Sequence, residues 1–157
     1  MEASIPTSLW NTELFALLEE TFEKVSGIYL DRGTSLFETL ADVSAAEASR
    51  PISAHCASIA AQVYHVRYYL QILAEYTRGN EPAGVDWPGS WQHGTVTPAE
   101  WEELRVDLQR TYGEVRALFA AINDWGQEDT LGGALAIVVH TAYHLGEIRQ
   151  GLGVLRG

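Results

Sequence analysis

Two histidines stand four residues apart in the run His140-Thr-Ala-Tyr-His144-Leu-Gly-Glu147. Four residues of α-helix turn the chain by about 400°, so both imidazoles lie on one face, one turn apart, within reach of a single metal ion. The helix itself is predicted from Thr130 to Arg156, because Leu135, Ile137, Val138, Val139, Leu145, Ile148, Leu152 and Leu155 recur there at three- and four-residue spacing. Such a helix is buried on most sides. Imidazoles placed on it lose hydration unless their nitrogens find partners, and a metal ion is one partner while a Tyr, a Glu or a water is another. Seen alone, the pair therefore suits two hydrogen-bonded core histidines as well as a metal site. A third ligand decides between them.

The elements that must supply it can be read in chain order. Asn11 is the expected cap of a first helix in which Leu14, Leu18, Phe22 and Val25 form the apolar stripe, while Glu13, Glu19, Glu20, Glu23 and Lys24 face mostly water. Gly27 and Gly33 bracket a break, after which Thr34-Ser35 with Glu38 makes a fresh capping box. One long kinked helix through Tyr29, Leu36 and Leu40 is the alternative, at about 1 kcal/mol per interior Gly. Ser44 with Glu47 caps a brief helical turn, and Pro51 suits the first turn of a long second helix that reaches Thr77 and is closed by Gly79. Ile59, Val63, Tyr64, Val66, Tyr68, Tyr69, Leu70, Ile72 and Leu73 are too dense for a surface helix, and His65 lies among them. From Asn80 to Val96 the composition turns to Pro, Gly, Asp and Trp; Trp87 and Trp91 either pin this long connection onto the helices or fold it over a pocket. Thr97-Pro-Ala-Glu100 then opens a third long helix through Trp101, Leu104, Leu108, Val115, Leu118 and Ile122.

Four long helices without an alternating strand pattern predict an all-α four-helix bundle, one domain over residues 1–157, with its sites built from facing helices. On these boundaries His65 lies about thirteen residues into the second helix and His140 and His144 about ten and fourteen into the fourth, so at about 1.5 Å per residue all three share a level whichever way the helices run. His65, His140 and His144 are the candidate ligands. His55, about 15 Å of helix away from His65, reads as a cap or surface residue, and His93 as a solvated loop residue. Three neutral imidazoles leave coordination positions open, the arrangement of catalytic zinc and of several nickel and iron sites, with manganese a further candidate. A bound ion of this kind lowers the pKa of water or of a thiol, which makes hydrolysis and thiol transfer the available chemistries. Glu147, one turn beyond His144, is placed to orient a histidine, act as a base or serve as a fourth ligand; an exposed salt bridge is its ordinary alternative. A non-catalytic metal-binding or stress-related protein is the competing functional class. Di-iron carboxylate chemistry is disfavoured, since no Glu-x-x-His pair occurs.

Ten basic against twenty-one acidic residues give a net charge of -11, which repels phosphate backbones and anionic lipid, so neither nucleic acid nor a membrane is an expected partner. The opening Met-Glu-Ala-Ser-Ile-Pro has no positive region or apolar core of a signal peptide, and a cytoplasmic location is the expectation. The single Cys56 fits that compartment and reads as a small apolar filler.

The run His140-Thr-Ala-Tyr-His144-Leu-Gly-Glu-Ile-Arg-Gln150, with Ser58-Ile-Ala-Ala-Gln-Val-Tyr-His65 upstream, resembles the DinB/YfiT-like family of four-helix metal-binding proteins, which includes bacillithiol- and mycothiol-dependent transferases. The likeness covers nearly the whole chain in helix order and spacing. It implies a divalent ion, zinc or nickel foremost, held by one histidine of the second long helix and two of the last, which map onto His65, His140 and His144. It also implies a homodimer, and a small thiol with an electrophilic substrate as partners. No residue singles out a particular thiol.

Overall fold

A computed structural model describes residues 5–127 and 129–157. Six α-helices follow one another: α1 (Thr7–Phe22), α2 (Leu36–Leu40), α3 (Ala45–Ser49), α4 (Ile59–Thr77), α5 (Pro98–Ala120) and α6 (Thr130–Arg156), with a 3₁₀ turn at Gly89–Trp91 before α5. The long helices α1, α4, α5 and α6 form the bundle. Its centre holds Leu14, Leu18, Phe22, Val63, Val66, Leu70, Leu108, Val115, Phe119, Ile137, Leu145 and Ile148, one continuous apolar cluster. Each such side chain contributes about 1.5–3 kcal/mol by leaving water, so the bundle rests chiefly on these faces. Helix α4 packs against both α5 and α6, and α1 against α6. Among the described residues, no helix is long and apolar enough to cross a membrane.

Local signals set several boundaries as expected. Complete capping boxes stand at Ser35 with Glu38, Ser44 with Glu47 and Thr97 with Glu100, the last with Pro98 in the first turn. Helix α4 ends at Thr77, and Gly79 takes φ 79°, a left-handed conformation that L side chains resist. The break around Gly27 and Gly33 is real, so the single kinked helix is not formed.

Three expectations are corrected. Helix α1 starts at Thr7 rather than after Asn11, which sits inside the helix and accepts the Trp125 indole N–H at 2.7 Å, tying the α5–α6 link to α1. Helix α4 does not begin at Pro51: residues 50–57 are non-helical, and Ser58 caps α4 through the amide of Ala61 while donating its own hydroxyl proton to the Gly94 carbonyl at 2.7 Å. A better cap thus lies seven residues beyond the proline. His65 is consequently the seventh residue of α4, not the thirteenth.

Glu20 is the third correction, because it is fully buried rather than turned to water. Its Oε2 accepts the amides of Ser26, Gly27 and Ile28 and the hydroxyl of Ser26, and its Oε1 accepts the amides of Tyr29 and Leu30, all between 2.6 and 3.0 Å. Gly27, at φ 94°, lets the backbone curl around the carboxylate. Burial opposes ionisation here, but the amides of Ile28, Leu30 and Tyr29 with the Ser26 hydroxyl outweigh it and hold the carboxyl far below the usual carboxylate range. One side chain thereby closes α1 and shapes the loop that leads to α2.

Candidate metal centre

The connection between α4 and α5 is tied down at several points. The Asp86 amide donates to the Tyr68 hydroxyl at 2.9 Å, the Asp86 carboxylate accepts the Gly89 amide at 2.9 Å, and the Val96 amide donates to Ser49 at 2.9 Å. These bonds set the 3₁₀ turn Gly89–Trp91 over the middle of α4, above His65. Both readings of the tryptophans therefore hold: Trp91 stacks on the His65 ring at 3.9 Å, and Trp87 meets it edge-on at 6.3 Å, so the anchors of the loop also cover the histidine.

From α6, His140 and His144 face His65, and one ring nitrogen from each of the three lies within 4.8 Å of the others. His65 and His144 are buried, and His140 is partly so. The Nε2 atoms of His65 and His140 are 3.2 Å apart. Two nitrogens sharing a tetrahedral ion at about 2.0–2.1 Å stand roughly 3.3 Å apart, so this spacing fits ligation.

Hydrogen bonds behind the rings fix which nitrogen is free. Ser90, buried on the 3₁₀ turn, gives its hydroxyl proton to the Trp87 carbonyl at 2.6 Å, so its oxygen must accept from His65 Nδ1 at 2.7 Å. The Nε2 of His65 is then left with a bare lone pair. His144 is held alike: its Nδ1 faces the Glu147 Oε2 at 3.0 Å and the Gln62 Oε1 at 3.3 Å, two acceptors for one proton. His140 differs, for its Nδ1 is buried without a hydrogen-bond partner among the described residues and its ring lies flat on Tyr69, 3.5 Å between centroids and 6° from parallel. Either neutral tautomer of His140 leaves a defect: a proton on Nδ1 sets two lone pairs against each other at 3.2 Å, while a proton on Nε2 leaves Nδ1 as an orphan acceptor. A cation held by His65 and His140 would turn that opposition into ligation. The residues fit a divalent ion.

The electrostatics agree. Burial first, then the neighbouring His144, pushes the pKa of His65 down to about 4. Burial, with His144 and His65 as neighbours, pushes His140 down to about 3. His144 is also lowered by burial, which outweighs the opposing pull of Glu147. All three rings are neutral at neutral pH, the form that donates lone pairs to a metal.

Of the roles open to Glu147, its position behind His144 suits the orienting one, with 40% of its side chain still exposed to receive a further proton. His55 is exposed in the segment before α4, and His93 stacks on Tyr64 at 3.7 Å; neither joins the cluster. Cys56 is exposed too, not a buried filler. Sequence alone marks Tyr69 only as a packing residue of the second long helix and gives Ser90 and Gln62 no part in the site. Gln62 had a legible signal, being one turn before His65 on the same face of α4, whereas Ser90 reaches the site only through the path of the loop.

Fold and site together define a helical-bundle protein with a buried three-histidine cluster that fits metal binding. The chain belongs to the DinB superfamily, whose family model matches residues 29–148, a span that includes all three histidines and Glu147. No match was found among curated proteins or among solved structures.

Proposed function

We propose that this protein is a divalent-metal-dependent enzyme, carrying out thiol transfer or hydrolysis at His65, His140 and His144. The observation that carries the reading is the shared orientation of His65 and His144: each Nδ1 proton is taken by a protein oxygen, so that each Nε2 is presented with its lone pair free. Zinc or nickel suits three imidazoles best, with iron or manganese next. A bound ion would supply a Lewis acid able to activate a water or a thiol. The chain's own groups do the rest. Ser90, Glu147 and Gln62 hold the rings in position, and Trp87 and Trp91 screen His65 from water. Glu147, half-exposed and lining the adjoining cavity, is the base within reach of a molecule bound there.

The reading extends to a cytoplasmic protein acting on a small thiol and an electrophile as a homodimer. Leu135, Val139 and Tyr143 support the dimer, since they form an exposed apolar stripe at four-residue spacing along α6. A second reading, a non-catalytic metal-binding protein, draws on the flat stacking of Tyr69 on His140 and of Trp91 on His65, which shields the rings as a structural site requires.

Elemental analysis of untagged protein beside the His65→Ala variant tests the core of the proposal. One metal per chain in the wild type and its loss in the variant are expected; equal metal in both removes the site. Metal-loaded protein is then assayed with thiols and electrophiles, and inertness across hydrolytic and thiol-transfer assays favours the non-catalytic reading. Light scattering checks the dimer.

A further inference from the structure

Beside His65 and His144, reached through Trp91, Gln62 and Glu147, lies a cavity of about 470 Å³ between α6 and the segment that precedes α4. Ile52, Ala57, Trp91 and Val154 give it an apolar wall, and Gln62 and Glu147 are its polar lining nearest the histidines. Gly151 makes the wall close-fitting: a Cβ there would meet Ile52 Cδ1 at 2.4 Å, so the loop seats directly on the helix backbone. Trp91 belongs to both places, since the ring that lines the cavity also stacks on His65.

Its charge is one-sided. Among the described residues lining the cavity there is no Lys or Arg, and the one carboxylate is Glu147. Gln62 is buried, commits its Oε1 to His144, and has no protein partner for its amide N–H₂ among the described residues, so that group is free to donate to a guest. Glu147 presents an acceptor beside it. A guest meets the amides of Gln62 and Gln150, the His55 imidazole, one anionic acceptor and an apolar wall, within a chain of net charge -11.

We infer that this cavity takes an uncharged or cationic, largely apolar molecule with an N–H donor, an amine or a carboxamide, and rejects carboxylates and phosphates of the same shape. As the substrate subsite of the proposed enzyme it rests on that reading, but the recognition itself needs only these side chains. A carboxylate would lie against Glu147 with no Lys or Arg in the lining to offset it, whereas an amine pairs with Glu147 and a carboxamide satisfies both Glu147 and Gln62. Thiols that carry several carboxylates are excluded from this position by the same repulsion.

Three probes on one skeleton test it: 4-phenylbutylamine, 4-phenylbutanamide and 4-phenylbutanoate. Cys56 lines the cavity, is exposed and is the chain's single cysteine, so the rate of its labelling by neutral 4,4′-dithiodipyridine reports occupancy at this place. The expected result is protection by the amine and the amide at concentrations about tenfold lower than by the carboxylate, with Glu147→Gln bringing the carboxylate close to the amide. Val154→Trp, a change at an exposed position that fills the cavity, should weaken amine and amide by about tenfold or more while leaving the circular dichroism spectrum unchanged. Protection by the carboxylate equal to or better than by the amine, no protection by any probe at millimolar concentration, or indifference to Val154→Trp overturns the inference. Zinc content of the same samples separates the two claims. Absence of zinc with the probe order intact removes the metal-dependent function and keeps the cavity's selectivity; zinc present with the order lost does the reverse.

Discussion

His65 Nδ1 donates to the Oγ of Ser90 at 2.7 Å, across twenty-five residues of chain and from the body of a helix to a turn in a loop. The serine can only accept, because its own proton is taken by the Trp87 carbonyl. Replacing Ser90 by Ala removes the group that fixes the tautomer of His65 and leaves a buried N–H unpaired. Zinc affinity, measured by competition with a chromogenic chelator, should fall by about 10–100-fold with the helical content intact. Unchanged affinity would show that the bundle alone orients His65.

Tyr69 positions His140 by its face rather than by a hydrogen bond, since the rings lie 6° from parallel and His140 Nδ1 has no partner among the described residues. Tyr69→Phe should therefore keep metal affinity near the wild-type value, while Tyr69→Ala should lower it by roughly tenfold. A loss of the same size in both variants would assign the role to the phenol oxygen instead.

Acid should destabilise the metal-free protein in a window set by the histidines. An imidazole in the unfolded chain titrates near 6.5, about as a free histidine does. In the fold, burial and neighbouring histidines hold His65 down to about 4 and His140 to about 3. The unfolded state therefore binds more protons as pH falls from about 6.5 towards 4, and stability present at neutral pH is lost across that range. Melting temperatures recorded from pH 8 to pH 4 should show this fall, and His140→Gln should flatten it.

Glu20 governs a second, more acidic limb. Its folded carboxyl is held far below the ordinary range, so its contribution is complete above the unfolded carboxylate pKa, near 4.3, and fades as pH drops through the lower values. Glu20→Ala should cost about 3 kcal/mol at neutral pH in urea denaturation, since five backbone amides lose their shared acceptor. A cost under about 0.5 kcal/mol would mean that water replaces the carboxylate without loss.

The parts of this architecture that could be read from the chain were those decided by nearby residues. Thr97, Pro98 and Glu100 announce α5 within four positions, Gly79 closes α4, and the apolar spacing between Thr130 and Arg156 delimits α6 to the residue. The three histidines were legible because helical periodicity alone puts His140 beside His144 and an apolar helix surrounds His65. Pro51 misled because a proline tolerates the first turn of a helix without requiring one; Ser58, tied to Gly94 by the returning loop, holds the true start. Glu20 misled for a related reason. Its place on α1 says nothing of the loop that later folds back over it, and burying a carboxylate becomes favourable only once those amides arrive. Ser90, too, acquires its meaning from a chain path fixed by Asp86, Tyr68 and Trp91 rather than by its own neighbours.

Because the 3₁₀ turn carries both the acceptor for His65 and the ring that covers it, binding of an ion at the histidine cluster would be coupled to the order of the 80–96 connection. Thermodynamic reciprocity then applies: an ion that prefers the closed turn must hold it closed by the same free energy that an open turn subtracts from its binding. Proteases that cut after arginine have a site at Arg78, where α4 gives way to this connection, and their rate of cleavage would serve as a gauge of how full the cluster is. The loop would in this sense be the part of the protein that reports an ion bound at the cluster.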